Sequence, residues 1–92
     1  MDYAVEYGEK AVKDLDALDR PIVQRIVRTI GQKLTTAPLE HGSRLKYYKD
    51  MYKLRIGDYR VVYKVDIKSK KVFIAVIGNR REIYEIIKRR FG

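Results

Sequence analysis

Six side chains of this 92-residue chain have types and spacings suited to gripping a phosphodiester: Lys53, Arg55, Arg60, Arg80, Arg81 and Tyr84. The first three lie in YKLRIGDYRVVY (52–63), where two alternating runs flank Gly57-Asp58. A two-residue Gly-X loop between such runs is a strong hairpin signal. With that loop, Ile56 faces Tyr59, Arg55 faces Arg60, Leu54 faces Val61 and Lys53 faces Val62. One face then carries Tyr52, Leu54, Ile56, Tyr59, Val61 and Tyr63, and the other Lys53, Arg55, Arg60 and Lys64. Like charges directly opposite each other in a sheet are destabilising. The Arg55–Arg60 pair is therefore expected to hold a polyanion, the plainer alternative being an ordinary solvated face with splayed side chains.

Arg80 and Arg81 follow an apolar run, and Tyr84 comes four residues after Arg80. On a helix that spacing puts Arg80 and Tyr84 on one face. The free amides of a helix N-terminus would add to the hold on a phosphate. Fixed cations also reward the extra negative charge of a phosphodiester transition state. RNA supplies its own nucleophile, the 2′-hydroxyl, so strand cleavage needs neither metal nor water. It needs in-line geometry, a base, an acid for the 5′-oxygen and charge stabilisation. Tyr84 could serve as the base when ionised, a state that neighbouring cations favour. Arginine is almost always protonated, which makes Arg80 a charge stabiliser rather than a proton donor. The plainer alternative has Tyr84 capping the core with its hydroxyl at the surface.

Other chemistries find little support. There is no cysteine and a single histidine, His41, so disulfides, thiolate catalysis and a zinc site are not expected. No Gly-rich phosphate loop, catalytic triad or convincing carboxylate pair is present, and no metal or cofactor is expected. Asp14, Asp16 and Asp19 are expected to serve helix termini and solvation. The formal charge is +9, unevenly placed: residues 1–43 hold six Lys/Arg against seven Asp/Glu, and residues 44–92 hold fifteen against five. The second half, at +10, is expected to meet nucleic acid or an acidic protein partner. The N-terminus is too polar for a signal peptide and no apolar run reaches membrane-spanning length, so a cytoplasmic protein with no membrane partner is expected.

The elements that must position these residues follow from periodicity. Tyr3, Val5 and Tyr7 alternate as a short strand ended by Gly8. Ala11, Val12, Leu15 and Leu18 predict a helix over 9–18. Asp19 and Pro21 open a second, striped by Ile22, Val23, Ile26, Val27, Ile30 and Leu34. Residues 35–43 read as an irregular link and 44–47 as a short strand before the hairpin. VFIAVIG (72–78) is apolar on both faces and predicts an interior strand. From Arg80 a last helix carries Ile83, Ile86 and Ile87, a stripe expected to be core rather than a free binding surface. One domain, 1–92, results. It is α+β, with an N-terminal strand, an antiparallel helix pair, a mostly antiparallel sheet and a C-terminal helix.

LKYYKDMYKLRIGDYRVVYKV followed by VFIAVIGNRREIY resembles the RelE toxins of the RelE/ParE superfamily, most specifically in RIGDYRVVY and GNRREIY. The resemblance implies a small fold like that of the microbial ribonucleases. It also implies a toxin of a type II toxin–antitoxin system that cleaves mRNA in the ribosomal A site without metal and is neutralised by a cognate acidic, RelB-like antitoxin. It places Lys53 and Arg55 as the paired basic residues that steady the phosphate, Arg60 as a contact to the scissile phosphate, Arg80 as the arginine after the last strand, and Tyr84 as general base. ParE-like members that inhibit DNA gyrase generally lack this set. The chain departs from the pattern at Asn79, where a basic residue or histidine is common, and at Arg55, which replaces a lysine. Two other readings stay open: a gyrase-inhibiting toxin, and a basic RNA- or ribosome-binding module without catalysis.

Overall fold

The computed structural model describes residues 2–92. A strand β1 (Ala4–Tyr7) leads into helices α1 (Glu9–Asp16) and α2 (Arg20–Lys33). A one-turn helix α3 (Pro38–His41) and a two-residue strand β2 (Ser43–Arg44) follow. The chain then runs through β3 (Met51–Ile56), β4 (Tyr59–Asp66), β5 (Lys71–Asn79) and α4 (Ile83–Phe91). The five strands form one sheet in the order β1-β5-β4-β3-β2. Only β1 and β5 run parallel, so the sheet is mostly antiparallel, as expected.

The hairpin has the register read from its turn: Ile56 pairs with Tyr59 and Arg55 with Arg60. Gly57 takes φ +61°, a left-handed conformation that glycine adopts without steric cost. β5 lies between β1 and β4, an interior strand as its apolar run predicts. It carries an irregularity that the pattern did not reveal. Val62 pairs with Val76 but Tyr63 pairs with Ile74, leaving Ala75 as an extra residue. This bulge reverses the facing of β5 along its length. Val72 and Ile74 before it, and Ile77 after it, join the core under the helix pair. Ala75 and Val76 point the other way, beneath α4.

The sheet therefore has a core on each side. Ala11, Ile26, Ile30 and Leu34 of the helix pair cover Leu54, Ile56, Val61, Tyr63 and Val72. On the opposite side Ile83 and Ile87 cover Leu45, Met51, Val62 and Val76. Burying each of those two isoleucines contributes about 2 kcal/mol. The α4 stripe is core, as anticipated, except that Ile86 is half-buried and Phe91 exposed. Tyr63 is fully buried and donates its hydroxyl to the Pro38 carbonyl at 2.6 Å. Burial, with a smaller push from Tyr52, raises its phenol to about 12. That hydroxyl occupies the space a side chain at position 42 would need, which makes Gly42 obligatory.

Several boundaries differ from the sequence expectation: the helix read over 9–18 ends at Asp16, and the link read as irregular over 35–43 holds the one-turn helix α3, opened by Pro38 at its first position. The strand expected over 44–47 is only Ser43–Arg44, and residues 45–50 loop outward. The last helix begins at Ile83 rather than Arg80. The amide of Arg80 extends the hairpin ladder by donating to the Asp58 carbonyl at 2.8 Å. Asn79 Oδ1 then accepts the Arg81 amide at 2.9 Å, and the Asn79 carbonyl accepts that of Glu82 at 3.0 Å. An Asx turn thus holds residues 79–82 out of the helix.

Where β1 ends at Tyr7, the edge of β5 beyond Ala75 loses its strand partner. Side chains replace it. Asp14 of α1 accepts the Ile77 amide at 3.0 Å, and Arg90 of α4 donates to the Ala75 carbonyl at 3.1 Å. Arg90 and Asp14 also bind each other through two bonds of 2.9 and 2.5 Å. Asp14 was expected to serve helix termini and solvation; instead it locks both helices to the bulged edge.

Candidate phosphodiester site

β3 and β4 display Lys53, Arg55 and Arg60 on the side of the sheet that α4 covers only in part. Among the described residues, none of these three cations forms an ion pair; the ion-paired ones are Arg80 and Arg90. Arg55 and Arg60 are opposed across the hairpin. Arg60 turns back on the hairpin, where Nη1 donates to the Gly57 and Tyr59 carbonyls at 3.0 and 2.9 Å. These bonds draw the Arg60 guanidinium toward the carbonyls of the hairpin turn. Arg55 remains exposed. Both Arg60 bonds use Nη1, so Nη2 and Nε can still meet a phosphate.

Tyr84 occupies the first turn of α4 and its phenol reaches the sheet. Lys53 Nζ donates to the Tyr84 hydroxyl oxygen and lies 5.0 Å from the ring centroid. An ammonium that donates to a phenolic oxygen stabilises negative charge developing on that oxygen. Tyr84 is largely exposed.

Arg80 and Arg81 stand apart from this pair. Because residues 79–82 form a turn, Arg80 and Tyr84 do not share a helix face, contrary to the spacing argument. The Arg80 guanidinium instead lies 3.8 Å from Asp58, with both side chains half or more exposed. Arg81 is exposed on the same turn. Lys53 and Tyr84 are thus the residues brought into contact, with Arg55 and Arg60 on the same face and Arg80 and Arg81 at the strand-to-helix corner.

Beside the Lys53–Tyr84 contact opens a cleft of about 320 Å³, lined by Arg44, Leu45, Lys46, Tyr47, Tyr48, Lys53, Tyr84 and Ile87. Sequence reasoning assigned no role to its 44–48 wall, although the interleaved cations and tyrosines of RLKYYK were a legible signal. A larger hollow of about 540 Å³ lies at the far end of the sheet, around Lys64–Lys68, Lys71 and Phe73, away from the phenol. Among the described residues no group of three His, Cys, Asp or Glu side chains could hold a metal ion. None of their helices is long and apolar enough to cross a membrane.

Comparison with known proteins places this geometry in context. Residues 5–84 match the family described as the ParE toxin of the type II toxin–antitoxin system parDE. The chain is 30% identical to the mRNA interferase toxin RelE of Escherichia coli K12, over 97% of this chain and 98% of that one. It is 29% identical to toxin RelG of Mycobacterium tuberculosis, over 91% and 98% respectively. Among solved structures it superposes on the RelBE2 toxin–antitoxin complex of Mycobacterium tuberculosis with a TM-score of 0.81 at 27% identity, covering 87% of this chain and 100% of that chain. It also superposes on the archaeal RelE–RelB complex of Pyrococcus horikoshii with a TM-score of 0.73 at 29% identity, covering 87% and 97%.

Proposed function

This chain belongs to the ParE toxin family of type II toxin–antitoxin systems, and we propose that it is a RelE-type toxin acting as a metal-independent mRNA endoribonuclease on the ribosome. The observation that carries this reading is the contact of Lys53 Nζ with the Tyr84 hydroxyl, at the border of a face that also bears Arg55 and Arg60. In the reaction the 2′-oxygen of one nucleotide attacks the adjoining phosphorus. The P–O2′ bond forms, the P–O5′ bond breaks, and a 2′,3′-cyclic phosphate and a 5′-hydroxyl result. Tyr84, as phenolate, takes the proton of the 2′-hydroxyl. Lys53, Arg55 and Arg81 hold the phosphate, and Arg60 and Arg80 stabilise charge on the phosphorane and the departing 5′-oxygen. That oxygen takes its proton from water.

The ribosome supplies what this spare equipment lacks, because a message fixed in the A site presents its sugar and phosphate already oriented. In this reading residues 1–92 work as one toxin domain in the cytoplasm, where ribosomes are. A cognate RelB-like antitoxin neutralises it, and the +10 half of the chain calls for an acidic partner.

The test is cleavage of one message, free and on programmed ribosomes, with 5′ ends mapped and the cyclic phosphate assayed. Cleavage is expected on the ribosome only, and at least ~100-fold slower in Tyr84→Ala and Arg80→Ala. A folded Tyr84→Ala protein that cuts at the wild-type rate overturns the catalytic assignment. The match to the ParE toxin family keeps a second reading in view, gyrase inhibition, whose signature is DNA damage without mRNA cleavage.

A further inference from the structure

The cleft beside Tyr84 has a wall of unusual composition. Its loop is firmly rooted: Leu45 is buried under α4 and its amide donates to the Met51 carbonyl at 2.9 Å. At the other end Asp50 takes φ +62°, turning the chain back into β3. Between these roots Tyr47 stands 82% exposed, with Lys46 Nζ 5.6 Å from its ring centroid. An aromatic ring held almost wholly in water on an anchored loop contributes nothing to the core. The interior of the cleft is apolar and aromatic, from Leu45, Ile87, Tyr48 and Tyr84, while Arg44, Lys46 and Lys53 bring cations to it. An occupant that is only acidic leaves the apolar interior unused, and one that is only apolar leaves the cations unused, so the cleft calls for a partner that offers both characters. A nucleotide uses both, because it carries a flat ring and an adjoining phosphate.

We infer that this cleft is a nucleobase subsite in which Tyr47 is the stacking platform, holding the base of the nucleotide whose 2′-hydroxyl attacks. The inference rests on the ribonuclease reading. Its volume of about 320 Å³ lies at the lower end of the ~300–1,000 Å³ range of small-molecule sites and suits one base with its sugar. Its position follows from Tyr84, which lines the cleft and whose hydroxyl must reach the 2′-oxygen. The base attached to that same sugar is then the one within reach of the cleft. Stacking there fixes the sugar relative to Tyr84, so Tyr47 is a positioning residue and not a catalytic one. Since every base has a π-face, the platform favours purines for their larger ring over any particular hydrogen-bonding edge.

The experiment uses ribosomes programmed with messages carrying 2-aminopurine at each A-site codon position in turn, made uncleavable by a 2′-deoxy sugar at the attacking nucleotide. With wild-type protein the fluorescence is expected to change through stacking at one position, the nucleotide immediately 5′ of the cut mapped on the all-ribose message. Tyr47→Ala should abolish that change and weaken binding by ~5-fold to ~100-fold. Tyr47→Phe should behave as wild type. An abasic nucleotide at that position should lower wild-type binding to the level of Tyr47→Ala. No change at that position, or an equal change with Tyr47→Ala, overturns the subsite. A fluorescence change confined to one codon position and lost in Tyr47→Ala, while the all-ribose message stays uncut, retains a base site in the cleft and overturns the ribonuclease reading instead. If Tyr47→Ala binds and cuts normally but resists the antitoxin, the cleft belongs to the protein partner and the inference fails.

Discussion

The two faces of this sheet are made by the same strands, yet one is sealed and the other half open. Beneath α1 and α2, residues of β3, β4 and β5 meet an apolar layer continuous from Leu54 to Ile77. On the opposite face β3 and β4 give Met51 and Val62 to the core but leave Lys53, Arg55 and Arg60 at the surface or only partly covered. Helix number explains the difference. A helix with its side chains is ~10 Å across and strands lie ~4.8 Å apart, so one helix roofs about two strands. Two helices can roof nearly the whole five-stranded sheet. With α4 alone on this face, covering β5 and reaching Val62 and Met51, the turn-ward part of the β3–β4 hairpin stays uncovered, and α4 delivers Tyr84 to its border. The site lies where the core runs out of helix.

The sharpest way to break this contrast is to remove one oxygen from the open face. Tyr84→Phe keeps the ring and deletes the hydroxyl that Lys53 contacts. Ribosome-dependent cleavage should fall ~100-fold to ~10,000-fold, while the midpoint of thermal unfolding holds, because an exposed phenol supports no packing. A large drop in the midpoint would make the open face structural after all. Cutting the lock that sets how far α4 reaches has the converse outcome. Asp14→Ala leaves the part-buried Arg90 without its carboxylate and the Ile77 amide without an acceptor. Loss of one partner from such a pair costs roughly 3 kcal/mol, and in a domain of this size each kcal/mol lowers the midpoint by ~4–8 °C. Calorimetry of Asp14→Ala measures it; a shift of only a degree or two would mean that packing alone fixes α4.

The contrast also marks what was legible in the sequence. The hairpin register could be read because Gly57-Asp58 fixes the loop length, and alternation then assigns every side chain to a face. β1, β5, the helix pair and the α4 stripe were readable for the same local reason, whereas β2 was misplaced. Features set by distant partners were not. The bulge at Ala75 lies inside VFIAVIG, where every residue is apolar or glycine and a reversal of facing leaves no trace. Asp14 looks like any helix-end acid until Arg90, 76 residues on, comes to meet it. The start of α4 was misplaced because the Arg80 amide is taken by Asp58 across the hairpin, a bond that no helical pattern announces. Lys53, Arg55, Arg60, Arg80, Arg81 and Tyr84 were all singled out by type and spacing, but the pairing of Tyr84 with Lys53 rather than Arg80 needed the fold.

The smallest expected effect separates the two ion pairs found among the described residues, and with them the two kinds of surface. Arg80 and Asp58 are 3.8 Å apart with side chains 50% and 76% exposed. Water and salt screen such a contact, which contributes ~0.5 kcal/mol or less. The backbone bond from the Arg80 amide to the Asp58 carbonyl survives any side-chain change. Asp58→Ala should therefore leave the unfolding midpoint within about four degrees of wild type, in contrast to Asp14→Ala. Freed from its carboxylate, Arg80 has one fewer competitor for phosphate, so cleavage should hold steady or rise by about twofold. A tenfold fall in cleavage would show instead that Asp58 aims Arg80 at the scissile phosphate. The open face would then be a pre-set constellation rather than a set of cations waiting for RNA to arrange them.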